Sequence, residues 1–102
     1  MKTLEDVRKQ LATGTFEFNR RAFRRVVERN ISEQEIRETG VYAELIENYP
    51  EDTYSPSGLL LGFTAAGRPV HLQVSFAETD LTKIITIYEP DPSEWLDYRT
   101  RR

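Results

Sequence analysis

The chain contains a single histidine, His71, which is the residue best suited to proton transfer near neutral pH. It lies in the run RPVHLQV, residues 68–74, flanked by two apolar residues and followed by the polar Gln73. An imidazole in such a run is either an acid-base group or a structural residue held by hydrogen bonds. The local sequence leaves both interpretations open.

Arginines form the second group with chemical potential. Five of them lie within residues 20–29 with only one acid, Glu28, whereas residues 33–52 contain seven acids and one arginine, Arg37. The net charge of the whole chain is -3, which argues against a protein that coats nucleic acid by bulk electrostatics. A local cationic surface on an acidic protein suits a polyanion bound at one site, and a merely solvated helix face is the plainer alternative.

Composition limits the class of protein. A chain of 102 residues, 38% of them hydrophobic, predicts one small domain over residues 1–102. The chain has no cysteine, and one histidine with carboxylates is a poor ligand set for zinc, so we expect no metal or other cofactor. No apolar stretch approaches the roughly 18 to 20 residues of a membrane span, and the charged N-terminus is unlike a signal peptide. The expected location is therefore the cytoplasm, away from membranes.

Three helices are predicted in the first 40 residues. Thr3, with Asp6 three residues later, has the pattern of a helix N-cap, and Ser32 begins a capping box. Asn19 can cap the helix between them, RRAFRRVVERN. On that helix, one apolar stripe contains Ala22, Phe23, Val26 and Val27, while Arg21, Arg24 and Arg25 fall on the opposite side and Arg29 lies at the edge of the stripe.

After residue 40, β-branched and aromatic residues occur in runs separated by turn residues. The runs VYAELIENY, GLLLGFT, RPVHLQVSF and KIITIYE predict four strands, and TFEF predicts a short strand before the second helix. The short loops AAGR and ETDL make the last three strands an antiparallel meander. PDPSEWLDYRTRR predicts a short C-terminal helix. The predicted fold is an α+β domain with N-terminal helices packed on a four-stranded, mainly antiparallel sheet.

The apolar pattern also predicts the direction of His71. Its strand buries the alternate apolar residues, so His71 lies on the other, more polar face of the sheet. If the next strand buries Ile85 and Ile87, a two-residue turn places His71 opposite Tyr88. Closing the preceding hairpin through AAGR places Gly62 opposite His71 as well. The expected result is a shallow hollow beside the imidazole.

Three segments of the chain resemble the bacterial family known as domain of unknown function 4258. They are RAFRRVVERNIS, YPEDTYSPSGLLLGFTAAGRPVHLQV and IITIYEPDPSEWLDYRTRR. Members typically read His-Ala-x-x-Arg-x-x-x-Arg-Gly-Ile, then Gly-Arg-Pro-x-His, then Thr-x-Tyr-x-Pro with a following Trp. The resemblance covers residues 16–102 and leaves the helix in residues 1–14 outside. The residues that fit it in order and spacing include Gly67, Arg68, Pro69, His71, Thr86, Tyr88, Pro90, Asp91 and Trp95.

This resemblance implies a fold shared with barnase, EndoU, colicin and RelE-like nucleases. It also implies an endoribonuclease toxin, an mRNA interferase of a type II toxin-antitoxin system, because genes of the family often neighbour antitoxin genes. The expected partners are then an RNA substrate and a cognate antitoxin that covers the arginine face. Metal-independent RNA cleavage needs a base for the 2′-hydroxyl proton, cationic donors for the phosphorane and an acid for the departing oxygen.

The resemblance places these roles on particular residues. His71 would be the base or the acid, and Tyr88 would be the other partner or the group that orients it. Arg25 would act with them in catalysis by clamping the phosphate. The further RNA- and phosphate-binding residues expected are Arg21, Arg24, Arg29 and Arg68.

The helix departs from the family pattern at two places. Arg21 stands where the family has histidine, and Asn30 stands where it has glycine. A guanidinium stays protonated near neutral pH, so Arg21 can bind charge but cannot replace a histidine in proton transfer. The alternative function is therefore a catalytically inactive relative that binds RNA or protein. The sequence leaves the oligomeric state open.

Overall fold

The computed structural model describes all 102 residues and confirms an α+β domain. The helices are α1 (Leu4–Ala12), α2 (Arg20–Glu28) and α3 (Glu33–Val41). The strands are β1 (Phe16–Phe18), β2 (Glu44–Tyr49), β3 (Ser57–Phe63), β4 (Pro69–Ser75), β5 (Thr82–Tyr88), β6 (Trp95–Leu96) and β7 (Thr100–Arg101). None of the helices is long and apolar enough to cross a membrane.

The helices begin at the caps that the sequence predicts. Thr3 and Ser32 each open a capping box, in which the cap hydroxyl and the carboxylate three residues later accept reciprocal backbone hydrogen bonds. The Asn19 side chain accepts from the Ala22 amide at the start of α2. These local hydrogen bonds satisfy amides that have no partner within the helix, which is why the three starts are readable from sequence.

The main sheet has five strands and not the predicted four. Its order is β1-β5-β4-β3-β2, with β1 parallel to β5 and all other pairs antiparallel. The short β1 pairs through Phe16 opposite Thr82, and the Asn19 amide continues the ladder by donating to the Ile84 carbonyl. Pairing with β1 satisfies part of the β5 edge that would otherwise be exposed. The sheet is therefore mixed.

The core lies between the helices and one face of the sheet. Its buried members include Val7, Leu11, Ala22, Ile36, Leu60, Val70, Leu72, Val74, Ile84 and Ile87. Gly40 allows α1 and α3 to approach closely, because a Cβ atom at this position would lie 2.4 Å from the Leu11 Cβ atom. The helices thus cover one sheet face, and the opposite face, which carries His71, is here called the back face.

The C-terminal segment forms a hairpin, so the predicted C-terminal helix is wrong. Strands β6 and β7 pair antiparallel and are joined by residues 97–99, in which Asp97 and Tyr98 have φ angles of 52° and 62°. This C-terminal hairpin, residues 95–101, buries Trp95 and forms ion pairs from Arg99 and Arg101 to carboxylates of β2. Tertiary contacts with the back face therefore outweigh the weak helical tendency of a short segment.

Candidate functional site

His71 lies on the back face and is fully buried, with 0% of its surface exposed. Its Nε2 atom is 2.6 Å from the carbonyl oxygen of Tyr98, which can only accept, so Nε2 carries the hydrogen. Burial lowers the pKa of His71 below its usual value, and the ring is neutral at pH 7. Nδ1 therefore accepts a hydrogen bond from the Tyr88 hydroxyl, 3.1 Å away.

The C-terminal hairpin covers this imidazole. The Trp95 ring packs edge-on against His71 with ring centroids 4.5 Å apart, and the Arg101 guanidinium lies 4.6 Å from the centre of the Trp95 ring. Both nitrogens of His71 are occupied by protein partners. His71 therefore has no exposed surface in this arrangement, and the half-buried Tyr88 is the hydrogen-bonded side chain between the imidazole and the protein surface.

One predicted neighbour of His71 is confirmed and another is wrong. Tyr88 lies opposite His71 across β4 and β5, as the register analysis expects. Gly62 lies opposite Val70, and the residue opposite His71 is Leu61. The Thr64 amide donates to the Arg68 carbonyl, so these two residues pair and the turn consists of residues 65–67, one fewer than the predicted AAGR, which shifts the register by one residue. No hollow lies beside the imidazole on this side.

A cleft of about 400 Å³ opens next to Tyr88, between α2 and the end of β5. This Tyr88 cleft brings together three of the predicted site residues, Arg25, Arg29 and Tyr88. Burial raises the pKa of Tyr88, so its hydroxyl keeps its proton at neutral pH. The cleft also contains acids that the sequence analysis did not single out, although the run YEPDPSEW contains them: Glu89, Asp91 and Glu94.

Arg21 lines a neighbouring cleft of about 690 Å³ together with Lys83 and Ile85 of β5. Because Arg21, Arg25 and Arg29 are four residues apart, they lie along one side of α2, parallel to the back-face side of β5. No ion pair joins any of the three to a carboxylate. This arginine stripe, Arg21, Arg25 and Arg29, therefore leaves three positive charges available to a ligand.

The other two predicted arginines do not belong to the stripe. Arg24 lines a basin on α2 with Arg20 and Glu28, which the stripe residues Arg21 and Arg25 also border, and it does not line the Tyr88 cleft. The Arg68 guanidinium contacts Glu35 at 3.2 Å and Glu89 at 2.6 Å.

Arg68 also donates to the backbone carbonyls of Arg29 and Asn30 at the end of α2. These bonds tie α2 to α3 and to the end of β5, which gives Arg68 a structural role. Its role as a phosphate ligand stays a prediction.

The apolar stripe of α2 is only partly buried. Ala22 is fully buried and Val26 packs against the core, but Phe23 is 60% exposed and Val27 is 66% exposed. The helix packs against β5 near the edge of the sheet, so only a narrow strip of its surface faces the core. This placement turns the arginine stripe toward the back face.

The model of the family domain of unknown function (DUF4258) matches residues 18–89. This match covers well over half of the chain, which therefore belongs to that family. A search of curated proteins and a search of solved structures each found no match. The matched segment includes α2, His71 and Tyr88 and ends before the C-terminal hairpin.

The second departure from the family pattern has a structural explanation. Asn30 has a φ angle of 52°, in the left-handed region that glycine adopts without strain and asparagine tolerates better than most residues. The chain adopts this conformation two residues after the end of α2, and Asn30 provides it. The replacement of histidine by Arg21 has no such equivalent, because the chemistry of the two side chains differs.

Proposed function

We propose that this protein is a metal-independent endoribonuclease toxin of a type II toxin-antitoxin pair, acting in the cytoplasm on RNA bound at the Tyr88 cleft. The proposal rests on one observation: Arg25 and Arg29 line the same cleft as Tyr88, whose hydroxyl is hydrogen-bonded to buried His71. The RelE-like and barnase-like fold and the antitoxin partner rest on the family resemblance.

The geometry suggests a proton relay in which Tyr88 contacts the RNA. The 2′-hydroxyl proton moves to the Tyr88 oxygen while the phenolic proton moves to Nδ1 of His71, and the 2′-oxygen attacks the phosphorus. The bond from phosphorus to the 5′-oxygen then breaks, and that oxygen takes a proton from water. The imidazolium returns its proton through Tyr88 to the hydroxide left behind. The products are a 2′,3′-cyclic phosphate and a 5′-hydroxyl.

The hydrogen bonds around His71 support this relay. The bond from Nε2 to the Tyr98 carbonyl fixes the tautomer that presents Nδ1 as an acceptor to Tyr88. Burial and the positive charge of Arg101 oppose the imidazolium, whereas the Tyr98 carbonyl and the Glu47 carboxylate favour it. Arg25 and Arg29 would donate hydrogen bonds to the non-bridging oxygens of the phosphorane, where negative charge develops.

A second candidate is an RNA-binding module without catalysis. The observation that favours it is the complete burial of His71, with both ring nitrogens bonded, together with Arg21 at the position where the family has a histidine. In this case the arginine stripe would hold the phosphates of a single strand, and His71 would be a structural residue.

The deciding experiment incubates the purified protein with mixed-sequence RNA in the presence of a chelator. We expect cleavage that leaves 2′,3′-cyclic phosphate ends, and a loss of about 100-fold or more in Tyr88→Phe, which removes only the hydroxyl. Tyr42→Phe, at an 88% exposed tyrosine after α3, is the matched control and should leave the rate unchanged. Tyr88→Phe is more informative than a His71 variant, since His71 is part of the packed interior.

Four outcomes distinguish the candidates. Cleavage that Tyr88→Phe does not slow would contradict the relay. Binding without cleavage, weakened when the arginine stripe is changed to glutamine, would establish the second candidate, and a gain of cleavage in Arg21→His would identify a silenced nuclease. Absence of both binding and cleavage would overturn both proposals. For the toxin assignment, expression of the chain alone should arrest growth of a bacterial host.

A further inference from the structure

The cleft that contains Arg21 is separate from the Tyr88 cleft and has the features of a binding site of its own. It lies between the start of α2, β4, β5 and the loop from Pro50 to Pro56, and we name it the Tyr54 cleft. We infer that the Tyr54 cleft binds one nucleobase of the RNA strand and prefers guanine. This inference rests on the proposed function, because it takes the strand to run along the arginine stripe.

Tyr54 provides an aromatic surface at the rim of the cleft. Its side chain is 97% exposed, and its ring stacks on no other aromatic residue of the chain. A large exposed aromatic ring beside cationic residues is the arrangement on which single-stranded nucleic acids stack their bases. The Tyr54 ring therefore accounts for affinity toward any base.

Cationic side chains connect this cleft to the Tyr88 cleft. Arg21 and Lys83 line it, and neither forms an ion pair with a carboxylate. Arg21 is one helical turn, about 6 Å along the α2 axis, from Arg25 in the Tyr88 cleft. One strand can thus place successive phosphates on the stripe while a base enters the Tyr54 cleft.

Asp52 and Gln73 give the floor of the cleft its selectivity. The Ser57 hydroxyl donates to Asp52 Oδ2 at 2.6 Å, and Gln73 Nε2 donates to the Ser57 hydroxyl at 3.2 Å and to Asp52 Oδ2 at 3.4 Å. These bonds hold both side chains in place. They leave Asp52 Oδ1 and the Gln73 carbonyl oxygen without an internal donor, so the floor presents two acceptors.

Two acceptors favour the base that offers adjacent donors. Guanine presents N1–H and the 2-amino group side by side on its Watson-Crick edge, and these two donors match the two free acceptors, Asp52 Oδ1 and the Gln73 carbonyl oxygen. Adenine and cytosine each place a ring acceptor beside their amino group, and that acceptor would face the Asp52 carboxylate unfavourably. Uracil offers a single N–H between two carbonyl groups. The floor therefore complements guanine better than the other three bases.

Binding of labelled oligonucleotides tests this preference without dependence on cleavage. The probes are 2′-O-methyl hexamers of uridine that carry one central guanine, adenine, cytosine or inosine, and binding is followed by fluorescence anisotropy. We expect the guanine probe to bind about tenfold more tightly than the adenine probe, with inosine between them because it lacks the 2-amino group. Asp52→Asn should remove the preference, since the amide keeps an acceptor for Ser57 but presents a donor to the base.

The Tyr54 platform has a matched control. Tyr54→Ala should weaken binding of all probes by about tenfold, whereas Tyr42→Ala, at a tyrosine of similar exposure outside the cleft, should not. Equal affinity for all four central bases, or a guanine preference that survives Asp52→Asn, would overturn the inference and leave the proposed function intact. Failure of the unmodified protein to bind any probe would instead overturn RNA binding itself.

Discussion

Two groups of arginines border the back face and differ in their partners. Arg99 and Arg101 of the C-terminal hairpin make paired contacts with Glu44 and Glu47, at distances of 2.7 to 3.1 Å. The arginine stripe of α2 has no carboxylate partner. Arginines therefore fasten the C-terminal hairpin over His71 in one region, and in the other region their positive charge is available to a ligand.

The two regions differ in how their carboxylates are placed. Strand β2 presents Glu44 and Glu47 on the back face beneath the hairpin, and the bond to Arg101 lowers the pKa of Glu47. Acids also lie near the stripe, Glu28 in the basin on α2 and Glu89, Asp91 and Glu94 in the Tyr88 cleft, but none of them forms an ion pair with a stripe arginine. Hairpin substitutions should thus affect stability, and stripe substitutions should affect binding.

The largest expected effect belongs to the hairpin. Trp95→Ala should lower the free energy of unfolding by about 3 to 5 kcal/mol, because it removes a buried ring that packs on His71 and leaves a cavity. Urea denaturation measures this change. Leu96→Ala, at a half-exposed neighbour in the same hairpin, should change the stability by about 0.5 kcal/mol or less. Equal effects of the two substitutions would show that the hairpin is not packed on the back face.

A smaller effect follows from the buried imidazole. The pKa of His71 is lowered in the folded protein, so the unfolded chain binds the proton first as pH falls below about 6.5. The stabilisation from a neutral, buried His71 should be fully present above that pH. As the pH falls toward 5.5, the free energy of unfolding should decline by at most about 1.4 kcal/mol per pH unit.

Urea denaturation at several pH values checks this dependence. The pKa values of Glu35 and Glu47 are also lowered, but carboxylates affect stability only below about pH 5. His71→Gln retains a polar side chain that cannot titrate and should remove the decline between pH 6.5 and 5.5. A decline that persists in this variant would assign it to other groups.

The smallest stability effect separates the two arginine groups directly. Arg99→Gln should lower the free energy of unfolding only slightly, since its pair with Glu44 is nearly half exposed, and the loss should shrink at high salt. Arg25→Gln should not change the stability but should weaken RNA binding, which Arg99→Gln should leave unchanged. If Arg99→Gln and Arg25→Gln each changed both the stability and the RNA binding, the distinction between a structural and a ligand-binding group of arginines would be wrong.

Local features of the fold were predictable, and features that join distant segments were not. The helix caps and the pairing of His71 with Tyr88 follow from neighbouring residues and from strand alternation. The predicted burial of Ile85 was wrong because a bulge in β5 turns Ile84 and Ile87 to the core. A bulge changes the register by one residue without a clear mark in an apolar run such as KIITIY.

The candidate site shows the same division. Its arginines and Tyr88 could be proposed from charge and resemblance, but the position of Asp52 and Tyr54 in a cleft with Arg21 could not. These residues reach the back face through the loop between β2 and β3, whose course is set by tertiary packing. The Glu35 and Glu89 contacts that give Arg68 a structural role were equally invisible, because they join residues more than 20 positions apart.

The sequence by itself determined the α+β class, the cationic side of α2 and the face of the sheet on which His71 lies. Each of these depends on periodicity or capping within a few residues. Only the tertiary structure decided that His71 is buried, because its cover comes from Trp95 and Tyr98, far along the chain. Burial depends on which distant segments pack against a residue, and the residues around His71 do not indicate that the C-terminal hairpin will cover it.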